Sequence, residues 1–154
     1  MHSTKTVYTE QSKLYPGVSF KIRTLNVMKR AQRDAGIASQ RLEYTRLSAE
    51  RATQFKALGG DTGTIEEQTA RVNALPIEKR LEILRLDEEA DSIFNQFILP
   101  ATIRAAFVSM DGYELDGATP DIDALLNDAP DDLLGEIYAA CVRGSGLTEG
   151  EAKN

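Results

Sequence analysis

Asp61-Thr62-Gly63-Thr64 has the form of the short aspartic-protease signature. In that chemistry the aspartate lies on a loop between apolar strands, and two copies face each other so that their carboxylates share a proton. Here the flanks are Leu58-Gly59-Gly60 and the glutamate-rich Ile65-Glu66-Glu67, a turn and a helix start. The motif therefore reads as a loop and a cap. The acidic run from Asp111 to Asp123 invites calcium, whose EF-hand loop needs side-chain oxygens at positions 1, 3 and 5, glycine at 6 and glutamate at 12. Placing Gly117 at position six puts Gly112 at position one, which supplies no side-chain oxygen, so turns and helix caps are the better reading.

His2 is the single histidine, which leaves the chain short of the commonest general base and metal ligand. Cys141, the single cysteine, falls on the apolar side of a predicted helix, where a thiol packs as a small hydrophobe. One cysteine also excludes an intramolecular disulfide and a multi-cysteine zinc site. Gly59, Gly60 and Gly63 lack the Lys-Ser/Thr that completes a phosphate-binding loop. No catalytic residue, cofactor site or metal site is expected. Lys21, Arg23, Lys29, Arg30 and Arg33 could form a nucleic-acid stripe, with Phe20 or Tyr15 stacking on bases. No recognised nucleic-acid motif surrounds them, so a solvated face or docking onto acidic groups is expected instead.

The elements that would position these residues are mostly helical. Residues 18–23 alternate, with Val18, Phe20 and Ile22 on one face and Ser19, Lys21 and Arg23 on the other, the pattern of a half-buried strand. Pro16-Gly17 is turn chemistry, and a short run at Thr6–Thr9 can pair with the strand as a hairpin. Two strands alone are marginal in water. Val18, Phe20 and Ile22 are thus the expected partner-binding surface.

Helical spacing then runs from Leu25 to Leu58 through Met28, Ala31, Ala35, Ala38, Leu42, Thr45, Ala49 and Ala52, with a second stripe of Tyr44, Leu47, Phe55 and Leu58. Gly36 weakens it locally, and Gly59-Gly60 should end it. Thr64 with Glu67 has the capping-box form. A seam of Ile83, Leu86, Ala90, Ile93, Phe97, Ala101, Ala105 and Val108 carries a second helical segment over 64–110, with Pro76 near a helix start and Pro100 bending it near Ile98. Asp116-Gly117 predicts a tight β-turn. Thr119 as N-cap with Pro120 at the first helical position predicts a short helix, and Pro130 opens another that buries Leu133, Leu134, Ile137, Tyr138 and Cys141.

The expected fold is mainly α: an N-terminal β-hairpin, two long helical segments and a small C-terminal helical unit. One domain over 1–154 is expected, with hairpin region 1–24, long helices 25–110, helical unit 111–146 and tail 147–154. A 42% hydrophobic content supports a core, and with 6% aromatics that core rests on Leu, Ile, Val and Ala. The N-terminus has no apolar signal-peptide core and no stretch reaches a membrane-spanning length, so no membrane partner is expected and the cytoplasm is the expected location. Net charge is −6, yet residues 1–56 carry 11 Lys/Arg against 4 Asp/Glu, and residues 57–154 carry 7 against 20. Such a split suits two halves, or two subunits of a homo-oligomer, that attract each other, and the overall acidity disfavours nucleic acid.

Several segments together resemble a family encoded among phage and prophage tail genes. They are Tyr15-Pro16-Gly17-Val18-Ser19-Phe20-Lys21-Ile22-Arg23 running into a basic helix, Gly112 through Pro120, the Pro130–Leu134 helix start, and the ending from Gly146 to Asn154. The chain resembles the tail-assembly chaperones of long-tailed phages. That resemblance implies a small, helical, non-enzymatic protein of the host cytoplasm. Its implied partner is the tape-measure protein, kept soluble until tail-tube protein polymerises around it. The alternatives are a minor structural component of a tail or virion, and a small nucleic-acid-binding regulator.

Overall fold

The computed structural model describes residues 1, 3–59 and 62–145. Gly17, at φ +84°, supplies the left-handed conformation that reverses the chain between β1 (Val7–Gln11) and β2 (Ser19–Arg23). The strands pair antiparallel, from Val7 opposite Arg23 to Gln11 opposite Ser19, so the predicted hairpin is present. Helices α1 (Val27–Gly36), α2 (Ala38–Ala57), α3 (Ile65–Asn73) and α4 (Ile77–Ile93) follow. A π-helical turn (Phe94–Ile98) and α5 (Leu99–Ala106) come next, then a third strand, β3 (Phe107–Asp111). Helices α6 (Ile122–Asp128) and α7 (Asp131–Ser145) complete the mainly α fold.

Strand β3 corrects the expectation of helix to residue 110. It pairs antiparallel with the free side of β2, giving the order β1-β2-β3. Ile22 lies opposite Phe107 and Lys21 opposite Ser109, so Val108 is the extra residue of a bulge. Its three-four spacing from Ala101 and Ala105 is compatible with helix, and the open edge of β2 overrides it.

Contacts divide the chain into two compact units, Met1–Gly36 with Leu99–Asn154, and Ile37–Ile98. The first unit therefore joins the hairpin region to the C-terminal helices. Its core holds Phe20, Ile22 and Leu25 with Ile103, Ala106, Met110, Leu125, Leu133, Ile137 and Cys141. Gly144 lets the end of α7 lie on β2, since a β-carbon there would stand 3.1 Å from Ile22 Cγ2. Polar links draw the same elements together. Ser12 Oγ donates to Glu136 at 2.7 Å, the Lys13 amide donates to the same carboxylate, and Arg143 pairs with Glu10 at 2.6 Å.

Capping signals hold up with one shift. The Thr64 hydroxyl accepts from the Glu67 amide at 3.1 Å, opening α3 as its sequence predicts. Pro130 precedes α7, whose first turn carries Asp131 and Asp132 against the positive helix end. Helix α6 is capped by Asp121, which accepts from the Ala124 amide at 2.8 Å, and not by Thr119. The Asp116-Gly117 turn is present, with φ +51° and +80° between the bridged Leu115 and Ala118.

The two long helical segments are each interrupted. Ile37, non-helical at φ −129° and buried, separates α1 from α2 beside the poor helix former Gly36. Pro76 caps α4 and separates it from α3. The π-helical turn lies just before Pro100, whose missing amide cannot bond to Gln96, so the bend expected near Ile98 takes this wider form. Ile83, Leu86 and Ala90 are buried as predicted, but Ile98, Thr102, Ile103 and Ala106 replace Phe97, Ala101 and Ala105.

In the second unit α2 packs on α4 around Leu47, Leu86 and Ala90, flanked by Tyr44 and Ile93. The inward stripe of α2 is thus the Tyr44–Leu47 one. The small-residue seam is outward: Ala38, Leu42, Thr45, Ala49 and Ala52 are all exposed. Larger side chains bury more apolar area per turn, and this decides which stripe faces in.

If β2 nucleates the first core, Phe20→Ala should lower unfolding free energy by about 3–5 kcal/mol, the usual range for truncating a fully buried phenylalanine. Urea denaturation followed by circular dichroism measures it, and a loss under about 1 kcal/mol would show that Phe20 is peripheral.

Candidate functional site

Val18, Phe20 and Ile22 are 4%, 1% and 2% exposed. They are core, and the expected contact surface is corrected accordingly. The hairpin does need a cover, and α5 and α7 of the same chain supply it. Nor do the two rings proposed for base stacking present a free face. Phe20 is buried, while Tyr15 donates its hydroxyl to Asp132 at 2.7 Å and meets Tyr113 edge-on at 5.9 Å. That hydrogen bond to Asp132, and then burial, raise the Tyr15 hydroxyl above its ordinary pKa.

The residues with catalytic types are not brought together. Asp61 and His2 lie outside the described residues, as does the chain beyond Ser145. Gly63, at φ +85°, leads directly into the Thr64 cap, so the described part of the Asp61-Thr62-Gly63-Thr64 motif is a turn. In the acidic run, Asp121 caps α6 and Asp123 pairs with Arg104 at 2.7 Å. Among the described residues no three His, Cys, Asp or Glu side chains converge as a metal site. Cys141 is fully buried in the first core, and burial pushes its thiol up to about 12, with the Glu10 charge adding to the shift.

What remains exposed is apolar surface on the second unit. On α4, Ile77, Leu81 and Leu84 are 63%, 56% and 50% exposed at i, i+4 and i+7 spacing, a stripe separate from the buried Ile83-Leu86-Ala90 one. Leu42 on α2 is more exposed still. Polar neighbours on α4 are tied along their own helix: Arg85 reaches Glu82 at 2.7 Å and Glu89 at 2.8 Å. The Arg85 hydrogen bond, more than any other influence, holds Glu82 below the ordinary carboxylate range. Spacing made this stripe legible in the sequence, but the stronger Ile83–Ile93 period hides it, and only packing tells which of two stripes is covered.

A basic cleft lies in the first unit between β2, α1 and α5, with a volume of about 460 Å³. Arg23, Lys29 and Arg33, all basic residues of the predicted stripe, line it, and Arg104 joins them from α5. Lys21 is exposed on the open face of the sheet.

Compared with protein-family models, with curated proteins and with solved structures, the chain matches none. Among the described residues no helix is long and apolar enough to cross a membrane.

The raised Cys141 pKa has a definite linkage sign. A thiol that ionises at about 8.5 when unfolded and near 12 when folded leaves stability intact below the lower value and removes it as pH rises through the interval. Cys141→Ala should therefore lose less stability than the parent between about pH 8.5 and pH 11 in urea titrations. Equal losses would show that the thiol is not held neutral by the core.

Proposed function

We propose that this chain is a non-enzymatic binding protein, acting as a tail-assembly chaperone of a long-tailed phage or prophage. In this reading it works in the host cytoplasm and holds the helix-rich tape-measure protein soluble until tail-tube protein assembles around it. The observation that carries the proposal is the exposed stripe of Ile77, Leu81 and Leu84 on α4. Three large aliphatics at i, i+4 and i+7 are the anchors by which one helix seats on another. A monomer gains nothing by leaving them in water, whereas a protein with a helical client needs such a face. Support also comes from the ordered segments that resemble the family, of which Gly112–Pro120 forms a tight turn and Pro130 a helix start.

The test is co-expression with a tape-measure protein encoded beside it. The parent should move that client from the insoluble to the soluble fraction, and Leu81→Glu with Leu84→Glu should abolish the rescue while circular dichroism stays unchanged. Because both side chains are at least half exposed, the double substitution leaves the α2–α4 core intact. A client whose solubility is unchanged, with the chain found at fixed stoichiometry in finished tails, would replace this reading by that of a structural component.

A further inference from the structure

We propose that the cleft between β2, α1 and α5 docks an acidic, helix-forming protein segment. Arg23, Lys29, Arg33 and Arg104 line the cleft, and no carboxylate does. An adjoining cleft of about 230 Å³ shares Arg23 and Lys29 and adds Lys5, again with no acidic lining residue. Five cations thus border two adjoining clefts on a chain whose net charge is −6.

Two of the five are partly neutralised at the rim. Arg33 pairs with Asp34 at 3.0 Å and Arg104 with Asp123 at 2.7 Å. Arg23 and Lys29 make no ion pair among the described residues, and the Lys5 ammonium rests over the Tyr8 ring at 5.3 Å. Elsewhere in the unit cations do find acids, as Arg143 finds Glu10. Arg23, Lys29 and Lys5, with no carboxylate beside them, repel one another, and a bound anion relieves that repulsion.

The floor of the cleft selects the kind of anion. Leu25 is buried there, and Ala101 and Ala105, one helical turn apart on α5, present only methyl groups. Small side chains at i and i+4 let another helix approach closely. A segment with small or aliphatic side chains on one side and Asp or Glu beside them satisfies both floor and rim. A single-stranded nucleic acid would need ring faces on which to stack, and no aromatic residue lines either cleft. The chain's net negative charge also repels a polyphosphate on approach.

The inference is independent of the α4 stripe and of the chaperone reading. Its test uses the full chain and a labelled peptide of about 20 residues, long enough to be helical in isolation. The peptide carries Glu along one side and Ala and Leu along the other. The Glu peptide should bind, with affinity falling as salt rises, while the same peptide with Gln for Glu should not. Arg23→Glu with Lys29→Glu should weaken binding roughly tenfold or more, equivalent to about 1.4 kcal/mol. Lys5→Glu with Lys29→Glu, both at exposed positions, should weaken it in the same direction and serves if the first pair disturbs β2. Equal binding of Glu and Gln peptides, no binding of either, or indifference to both double substitutions overturns the proposal. Tighter binding of an oligothymidylate through the same residues overturns it as well, in favour of a nucleic-acid face.

Discussion

The first unit depends on one packing requirement: β2 cannot bury Phe20 and Ile22 with its hairpin partner alone. The cover comes from residues more than 80 positions later in the chain, Ile103, Met110, Ile137 and Cys141. Polar pairing works in the same direction. Segment 1–36 holds 7 Lys/Arg and 2 Asp/Glu, and segment 99–154 holds 3 and 11, so the two parts of the unit carry opposite net charge. Glu136 receives hydrogen bonds from Ser12 and Lys13, Glu10 meets Arg143, and Asp132 accepts from Tyr15. Polar pairs near the surface contribute little each, so apolar burial supplies most of the energy.

Local signals in the sequence proved the most legible. The turns at Gly17 and Gly117, the Thr64 cap, the Pro130 helix start and the buried Leu133, Leu134, Ile137 and Cys141 of α7 depend on neighbours within a few residues, and these are where spacing places them. Choices between competing faces were not legible. Helix α2 carries two apolar stripes, and the longer, more regular one of small residues is outside because Tyr44 and Leu47 offer more area to bury. Strand β3 was hidden because Val108 continues a helical period, while the open edge of β2 that claims it lies 85 residues earlier. The basic residues of the cleft were visible one by one, but Arg104 joins Arg23 only through the fold.

The second unit is built more thinly. Two packed helices enclose Leu47, Leu86 and Ala90, and the outer faces retain Leu42, Ile77, Leu81 and Leu84 in solvent. A core of that size offsets little backbone entropy. A ligand that bound only the folded unit at this stripe would stabilise the α2–α4 pair by mass action.

The discontinuity of the first unit has a consequence for synthesis. Residues 1–36 are synthesised before α5, β3 and α7, the elements of their unit that cover β2, and the whole of Ile37–Ile98 lies between. At roughly 5–20 residues per second, the apolar side of β2 waits several seconds in water. The second unit, being continuous and rich in local contacts, can form its helices during that interval. Until α5, β3 and α7 have been made, Phe20 and Ile22 lack the cover that they have in the finished unit.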